Sequence, residues 1–400
     1  MKNNSEKYAW VGSTIYKWCE KPNARGELVN ERIPWSRERI INDYGKDYLK
    51  EIPRYDGFCC VPSHTHYQAE VGNFLNEYQP LPHEPATEPG DWSNIEKFLR
   101  HVFGEHFEIG LDYIQILLTD PLQMLPVLLL VSREHGTGKT TFLNFLREIF
   151  GENATFNTNE DFRSEFNADW SDKLLILVDE LFLNRKEDSE KLKNLVTKKY
   201  HKKQQKCKDK VTVDFFSKFI LCTNNEDFPI LIEEKENRYF VKKLNRLESE
   251  DVGLEEKMRK EIPAFLYALL HRKLSTEDKS RFYFDYDLID TPEGRRMKDS
   301  CLPKAEKDLS LILAEMFSQN EEADQLQFSL IDAGAWACGL GYRIEKTDIK
   351  NILEKKWEVP RDKRGGRTYY FLPVEGRLQK KTGRFYTVTR EFFESRFPDL

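Results

Sequence analysis

The sequence predicts an α/β protein whose core is a parallel β-sheet. Three unbroken apolar runs support this prediction: PVLLLV at 126–131, KLLILV at 173–178 and KFILCT at 218–223. Strands of a parallel sheet are covered by helices on both faces, so they have this continuous apolar composition. An amphipathic helix pattern follows the first run over residues 139–150. The strand, loop and helix therefore occur in the order that a parallel sheet needs.

A glycine loop, SREHGTGKTT, joins the first apolar run to that helix. Gly136 and Gly138 let backbone N–H groups turn toward a phosphate. Lys139 is then placed to reach the β and γ phosphates of ATP, and the Thr140 hydroxyl is placed to hold Mg²⁺. The predicted ATP-binding residues are His135, Gly136, Thr137, Gly138, Lys139, Thr140 and Thr141.

The loop departs from the usual P-loop pattern at one position. The pattern begins with a glycine where this chain has Arg133. A chance match on a surface turn is the alternative interpretation. The apolar strand before the loop and the helix after it argue against that alternative.

The second and third apolar runs end in side chains that suit ATP hydrolysis. We expect Asp179 to hold Mg²⁺ together with Thr140, and Glu180 to orient or deprotonate the attacking water. Asn224, with Asn225 behind it, follows the third run and is expected to polarise that water. Ligands bind beyond the carboxyl ends of parallel strands, so these groups are predicted to converge on one crevice. A core strand that ends in solvated acids is the alternative for the second run.

Arg238 precedes a fourth apolar stretch and is a candidate arginine finger. Such a residue stabilises the charge that develops on the transferred phosphoryl group, and it makes hydrolysis depend on a neighbouring subunit if it acts in trans. A structural salt bridge with Glu234 or Glu236 explains the same residue equally well. The sequence leaves both interpretations open.

The segments SREHGTGKTT, LLILVDE, FILCTNN and ENRYFV, in this order and spacing, resemble a superfamily 3 helicase. These helicases are AAA+ ring motors of viruses, phages and mobile elements, and the resemblance is greatest to the helicase part of phage, plasmid and poxvirus-type primase-helicases. It covers about residues 75–275, including the FN-x-x-W motif at 166–170. The resemblance implies ATP and Mg²⁺ as cofactors, a homohexamer, and 3′ to 5′ movement on single-stranded DNA that a hairpin contacts in the pore.

The lysine-rich run KKYHKKQQKCKDK at 198–210 occupies the place of that hairpin. It contains seven lysines against the single Asp209, although the whole chain has a net charge of −6. Lysines contact phosphates without reading bases, so we expect binding that tolerates any sequence and weakens with salt. A solvated charged loop is the alternative. The predicted DNA contacts are Lys198, Lys199, Lys202, Lys203 and Lys206.

The chain is predicted to contain an ATPase core with accessory parts on both sides. The predicted segments are an N-terminal accessory domain (1–90), a lead-in with two helices (91–125), the P-loop NTPase core of AAA+ type (126–246), a helical extension (247–302) and a winged-helix-like basic domain (303–400). The last segment shows helix patterns at 307–317 and 346–356, followed by the strand-like TYYFLP and RFYTVT, which we expect to form a hairpin. Eleven basic residues against three acidic ones from Lys355 to Arg390 favour phosphate contacts there, and duplex, forked or origin DNA is an expected partner of this segment.

Composition indicates a soluble, intracellular protein, and we expect it in the cytoplasm. No apolar run is long enough to cross a bilayer, and the start MKNNSEKYAW lacks the apolar region of a signal peptide. Seven scattered cysteines indicate reduced thiols rather than a disulfide framework. The N-terminal 90 residues are too few for a primase domain, so a separate primase or another replication protein is an expected partner.

The leading interpretation is an ATP-dependent helicase that moves on single-stranded DNA as a ring. Two alternatives remain open. One is an AAA+ ATPase that loads or remodels a protein partner, for which the lysine-rich run is only surface. The other is an adaptor with a degenerate NTPase core that binds DNA in replication or transposition through residues 303–400.

Overall fold

The chain forms two compact units, Met1–Met297 and Lys298–Leu400, each with its own hydrophobic core. The computed structural model describes residues 7–22, 24, 26, 28–164, 166–181, 186–204, 209–225, 237–247, 251–300, 304–320, 323–362, 366–374 and 377–397. None of the helices in these ranges combines the length and the apolar composition that crossing a membrane requires.

Two small sheets occupy the N-terminal part of the first unit. Their elements are β1 (Tyr8–Val11), β2 (Thr14–Pro22), β3 (Leu28–Trp35), α1 (Arg37–Tyr44), β4 (Arg54–Tyr55), β5 (Gly57–Cys59), β6 (Glu70–Val71) and β7 (Phe74–Asn76). The first sheet has the strand order β3-β2-β1-β4 and the second β5-β7-β6. Tyr8 and Ile15 of the first sheet pack with Ile40 of α1 in a small core, which no sequence pattern had indicated.

The two helices predicted for the lead-in are confirmed as α2 (Ser93–Phe103) and α3 (Phe107–Thr119). Gly104 ends α2 with a φ of 55°, a left-handed conformation that glycine adopts at little cost. Almost every residue of α3 is buried, because this helix lies between the parallel sheet and the helices that follow the sheet in sequence.

The predicted parallel sheet is confirmed, and the described part of the chain contributes five strands to it. The elements of this region are β8 (Val127–Val131), α4 (Lys139–Phe150), β9 (Ala154–Phe156), α5 (Asn159–Arg163), β10 (Leu175–Val178), α6 (Lys186–Val196), β11 (Tyr200–Lys203), β12 (Val211–Asp214), β13 (Lys218–Thr223) and β14 (Tyr239–Lys243). The strand order is β14-β8-β13-β10-β9, and all neighbours in it run parallel. The three apolar runs of the sequence are β8, β10 and β13. β11 and β12 form a separate antiparallel hairpin.

Both faces of the parallel sheet are buried. Along β8, Leu128 and Leu130 belong to the core on one face, while Val127, Leu129 and Val131 belong to the core on the other. Successive side chains of a strand point to opposite faces, so a strand with two buried faces needs an apolar residue at every position. This requirement explains the unbroken apolar runs.

The helical extension contains α7 (Leu254–His271), α8 (Tyr286–Ile289) and α9 (Pro292–Ser300). α7 packs against α2, α3 and α4. The chain leaving α7 is held by Asp112, a fully buried carboxylate of α3. Its oxygens accept hydrogen bonds from Arg272 at 2.6 Å and from the hydroxyls of Ser275 and Thr276 at 2.8 and 2.7 Å. The buried charge is therefore fully compensated.

The described residues of the second unit form four main helices and two strand pairs. Its elements are α10 (Lys304–Ser318), β15 (Gln325–Phe328), α11 (Leu330–Gly339), α12 (Lys346–Asn351), β16 (Thr368–Phe371), β17 (Gln379–Thr382), β18 (Tyr386–Thr389) and α13 (Arg390–Arg396). A π-helical turn, Ile352–Lys356, continues α12. The two predicted helices thus appear as α10 and as α12 with its π-helical turn.

The predicted hairpin of TYYFLP with RFYTVT is wrong. TYYF, as β16, pairs antiparallel with β17, whereas YTVT, as β18, pairs antiparallel with β15. β17 has the sequence QKKT, which lacks the apolar residues by which a strand is recognised. The partner of β18 lies about sixty residues earlier in the chain, a long-range pairing that local patterns do not reveal.

Replacing Asp112 with alanine should strongly destabilise the first unit, because Arg272 would lose its buried partner. We expect the free energy of unfolding to fall by about 3 to 5 kcal/mol in chemical denaturation. Glu108→Ala is the matched control, because Glu108 pairs with the same Arg272 at 3.0 Å but is exposed. That variant should lose no more than about 1 kcal/mol. Equal losses for the two variants would contradict this account.

Candidate functional site

Three polar segments leave the parallel sheet at one edge. Val131 of β8 lies opposite Thr223 of β13, and Leu221 of β13 lies opposite Val178 of β10. Because the strands are parallel and in register, their carboxyl ends meet. The structure therefore brings together the glycine loop after β8, the acids Asp179 and Glu180 after β10, and Asn224 after β13. Asn225 lies beside them, and its N–H donates to the Thr223 hydroxyl at 3.1 Å.

The glycine loop needs its two glycines. Gly136 and Gly138 have φ values of 69° and 86°, in the left-handed region that disfavours other residues. A Cβ on Gly138 would also lie 3.0 Å from a ring carbon of Phe98 in α2. Arg133 has no positive φ, so an ordinary residue is accommodated where the P-loop pattern has its first glycine.

Lys139 places a positive charge at the centre of the loop. Its Nζ donates to the carbonyl oxygens of Ser132 and Glu134 at 3.0 and 3.4 Å, and to the Thr137 hydroxyl at 3.3 Å. The side chain is only 9% exposed. Lys139 is also the first residue of α4, whose N-terminal N–H groups have no partner within the helix. Ammonium and helix terminus together favour an anion at this position.

Neighbouring segments hold the loop from outside. His101 of α2 hydrogen-bonds through Nε2 to the Thr137 carbonyl at 3.0 Å, and the N–H of Leu247 donates to the Gly136 carbonyl at 3.2 Å. Of the other predicted loop residues, His135 is exposed and Thr141 is half-buried. The contacts of Phe98, His101 and Leu247 with the loop were not predicted, because they depend on how distant helices pack.

Thr140 and Asp179 connect the loop with the acidic strand end. The Thr140 hydroxyl donates to Asp179 Oδ2 at 2.8 Å. A hydroxyl and a carboxylate oxygen side by side are the hard ligands that Mg²⁺ takes from proteins, with water and phosphate supplying the rest. These residues therefore suit the predicted magnesium site.

Glu180 stands on a constrained turn. Its φ is 59°, which is uncommon for a residue with a side chain, and Asn159 Nδ2 donates to its carbonyl at 3.2 Å. The next residue, Leu181, is fixed to β13: its N–H donates to the Cys222 carbonyl at 2.6 Å, and its own carbonyl accepts from Thr223 at 2.9 Å. The backbone that carries the Glu180 carboxylate is therefore held from both sides.

Two asparagines of this edge were not predicted. Asn157 follows β9, and its N–H donates to the Leu177 carbonyl at 2.8 Å, so it lies close to the end of β10. Its side-chain Nδ2 is buried and has no hydrogen-bond partner among the residues that the structure describes. Asn159, the partner of Glu180, begins α5. The polar sequence NTN at 157–159 was the available signal, but β9 has only three residues and was not recognised as a strand.

Arg238 lies at the opposite edge of the sheet. Its carbonyl accepts from the N–H of Val127, the first residue of β8. The loop begins beyond Val131, at the other end of that strand, so about 15 to 20 Å separate Arg238 from the phosphate position along the strand. Arg238 therefore does not contribute to the site of its own chain. Glu234 and Glu236, its possible salt-bridge partners, lie outside the described residues.

The lysine-rich run contributes β11 to the hairpin β11–β12, which lies at this same opposite edge, where β12 leads into the start of β13. Lys198 and Lys199 are exposed at its base, and Lys202 is exposed on its outer face. Lys203 points the other way, toward Asp172 and Glu77, with which it forms salt bridges, so it is a poor candidate for a DNA contact. The predicted DNA contact Lys206 lies outside the described residues.

The FN-x-x-W motif holds the inner face of the hairpin. Asn167, which is 5% exposed, donates from Nδ2 to the Lys202 carbonyl at 2.9 Å and accepts from the Gln204 N–H at 2.8 Å. The Trp170 ring stacks on His201 with 5.9 Å between ring centroids. An isolated two-stranded hairpin is marginally stable, so these contacts position it.

Comparison with known proteins supports the fold. A model described as "Family of unknown function (DUF5906)" matches residues 130–238. No curated protein matches the sequence. The apo structure of the NrS-1 C terminal region (305-718) is similar, with a TM-score of 0.64 and 15% identity over 96% of both chains. The A form apo structure of that region has a TM-score of 0.62 and 16% identity, again over 96% of both chains. The chain therefore shares the fold of this region.

A JCV helicase structure is a more distant match. Its TM-score is 0.32 and its identity 10%, over 63% of this chain and 65% of that one. This similarity is too low to define a common fold.

Removing the Asn167 side chain should loosen the hairpin. We expect Asn167→Ala to speed hydrogen–deuterium exchange at residues 200–204 and 211–214 by about tenfold or more, because it removes the side-chain hydrogen bonds to His201, Lys202 and Gln204, each worth about 1 kcal/mol. Asn194→Ala is the control, since Asn194 is exposed on α6 and its side chain donates to the Glu190 carbonyl of the same helix, away from the hairpin. Exchange in β10 and β13 should stay slow in both variants. Unchanged hairpin exchange in Asn167→Ala would disprove the positioning role.

Proposed function

We propose that this chain is a ring-forming, ATP-dependent DNA helicase that moves on single-stranded DNA. The observation that carries the proposal is the hydrogen bond of 2.8 Å between Thr140 and Asp179, which joins a phosphate-binding loop to an acidic strand end. A glycine loop or an acidic turn with a purely structural role would not require a hydrogen bond between Thr140 and Asp179. The resemblance of the four sequence segments to superfamily 3 helicases supports the same function.

The residues at the carboxyl edge have complementary parts in ATP hydrolysis. Lys139 and the start of α4 bind the phosphates, and they balance the charge that develops on the γ phosphate. Mg²⁺, held by Thr140 and Asp179, supplies further charge compensation. Glu180 accepts the proton of the attacking water, and Asn224 orients that water. The constrained backbone of Glu180 keeps its carboxylate at the strand end, which favours a fixed catalytic geometry.

The residues at the opposite edge of the sheet suit binding to the sugar-phosphate backbone of single-stranded DNA. Lys198, Lys199 and Tyr200 lie along a groove of about 850 Å³ at the base of the hairpin, and Arg281 lines the same groove. Tyr200 is 63% exposed, so its ring is open to a stacking base. Cations beside an exposed aromatic ring are typical of sites that bind single strands without sequence preference.

One continuous segment connects the two edges. It begins at Asn159, which binds the Glu180 carbonyl, runs through α5, and reaches Asn167, which binds the hairpin. Arg163 at the end of α5 pairs with Asp188 of α6 at 2.8 Å. A change of position at Glu180 on hydrolysis thus has a direct covalent and hydrogen-bonded route to the hairpin. Coupling of this kind is what a translocating ATPase needs.

The proposed ring also gives Arg238 a role. An arginine so far from the loop of its own chain would act in hydrolysis at a site on a neighbouring subunit. In a closed ring each subunit presents one edge to the site of the next, so every site would receive one Arg238. Hydrolysis would then depend on assembly.

Two substitutions at the carboxyl edge should separate ATP binding from hydrolysis. Lys139→Ala should lose both, because it removes the phosphate-binding charge. Glu180→Gln should keep ATP binding but lower kcat by about 10²- to 10⁴-fold, the usual contribution of a general base. ATP turnover and binding of a fluorescent ATP analogue measure the two effects. Glu134→Gln, an exposed residue of the same loop, is the control and should behave as the unmodified protein.

The same assay with single-stranded DNA tests the helicase function. DNA should stimulate ATP turnover in the unmodified protein, which should displace a strand from a partial duplex. Replacing Lys198, Lys199 and Lys202 with alanine should abolish stimulation and leave basal turnover intact. Full turnover in Lys139→Ala would refute the ATP site. ATP turnover without any response to DNA would instead favour an ATPase that remodels a protein partner.

Mixing two inactive variants tests whether Arg238 acts in trans. Arg238→Ala subunits retain Glu180, and Glu180→Gln subunits retain Arg238. Mixed rings should therefore contain some complete sites and recover part of the ATP turnover. A mixture of Lys139→Ala with Glu180→Gln is the control, because both changes affect the same half of the site. No recovery in the first mixture would contradict the trans role and favour a structural salt bridge.

A further inference from the structure

The described part of the C-terminal unit has exposed cationic side chains that are not used in polar contacts within the unit. Between residues 343 and 384, seven cationic side chains are exposed and have no ion pair or hydrogen bond among the residues that the structure describes. They are Arg343, Lys346, Lys350, Lys355, Arg377, Lys380 and Arg384. Other basic residues of the unit are bound internally. Examples are Lys381 with Asp332 at 2.5 Å and Arg367 with Asp362 at 2.8 Å. The seven are therefore available to a partner.

One part of this set lies on α12. Ile349 of α12, with Ile352 and Leu353 of the turn that continues it, is buried in the core of the unit. Lys346 and Lys350 of α12 are exposed. Further exposed residues of α12 are Thr347, Asp348 and Asn351. Side chains of these types hydrogen-bond to base edges in the major groove of DNA.

The other part lies on the hairpin β16–β17. Tyr369 and Phe371 point into the core, whereas Tyr370, which lies between them, is 53% exposed. Lys380 lies directly opposite Tyr370 on the neighbouring strand. Since residues opposite each other share a face of the hairpin, Tyr370 and Lys380 form an exposed pair. Arg377 and Arg384 lie just before β17 and just after it.

α11 holds both parts in place. Asp332 of α11 is 2% exposed and accepts hydrogen bonds from Tyr369 and Lys381, both at 2.5 Å, which fastens the inner face of the hairpin. Trp336 of the same helix donates to the Leu372 carbonyl at 2.6 Å. α12 packs across α11, and the side chain of Lys346 passes beside Gly334. α11 therefore fixes the positions of both cationic surfaces, the one on α12 and the one on the hairpin β16–β17.

We propose that this unit binds double-stranded DNA, with α12 in the major groove and the hairpin β16–β17 on the phosphate backbone. A helix pair followed by a strand hairpin, with exposed polar residues on the second helix, is the arrangement by which helix-turn-helix proteins dock on a duplex. The acidic Asp348 on α12 is compatible with this contact because a carboxylate accepts a hydrogen bond from cytosine. The site is distinct from the ATP site and needs no nucleotide.

A triple variant of the full-length chain tests this proposal. Lys346→Gln, Lys350→Gln and Lys380→Gln, combined, should weaken binding to a short DNA duplex by about tenfold or more. The slope of log affinity against log salt should also fall by roughly 2 to 3, because each of the three glutamines leaves one DNA phosphate without a neutralising charge. Fluorescence anisotropy without nucleotide measures both quantities. The matched control replaces Lys7, Lys46 and Lys307, three exposed lysines elsewhere in the chain, with glutamine.

Three further measurements complete the test. Duplex binding should persist in Lys139→Ala, so failure of the proposed ATPase and failure of this inference remain distinguishable. An RNA duplex should bind more weakly, because its deep and narrow major groove does not admit a helix. ATP turnover stimulated by single-stranded DNA should be unaffected by the triple variant. The proposal is overturned if the control triple loses as much duplex affinity, if RNA and DNA duplexes bind equally, or if the unmodified chain binds no duplex.

Discussion

Strand β8 is hydrogen-bonded on both sides, and the arrangement of the candidate site depends on this double pairing. β13 and β14 fix its register, and all five of its residues are buried. Its carboxyl end therefore delivers the glycine loop beside Asp179 and Asn224, while its amino end adjoins Arg238. A shift of one residue would turn every side chain of β8 to the wrong face. The separation of the proposed ATP chemistry from the proposed DNA contacts thus follows from one pairing pattern.

The sequence predicted the central strands and the glycine loop because burial on two faces leaves a local signal. β8, β10 and β13 are continuous apolar runs, and each is followed by polar residues. The remaining features depend on distant contacts that no local pattern contains. β9 has only three residues, β15 pairs with β18 across two helices and the hairpin β16–β17, and Asn167 contacts a hairpin that comes later in the chain. Residue types were visible in the sequence, but their partners were not.

Neighbouring lysines with the same chemistry have different roles in the two hairpins. Lys202 is exposed while Lys203 pairs with Asp172, and Lys380 is exposed while Lys381 pairs with Asp332. The cause is the alternation of side chains along a strand, which sends adjacent residues to opposite faces. A count of basic residues in a run therefore overstates the charge available to nucleic acid. The inward lysines stabilise each hairpin, and the outward ones give it a cationic surface.

Arg133 has a consequence for how related chains are found. The loop requires a left-handed backbone at Gly136 and Gly138, whereas the backbone at residue 133 is accessible to any amino acid. A search pattern that demands glycine at that position rejects this loop, although the groups that would contact phosphate and metal are present. A pattern built on backbone conformation would keep the two required glycines and leave position 133 free. Such a pattern would find diverged chains that are missed by a motif requiring glycine at this position.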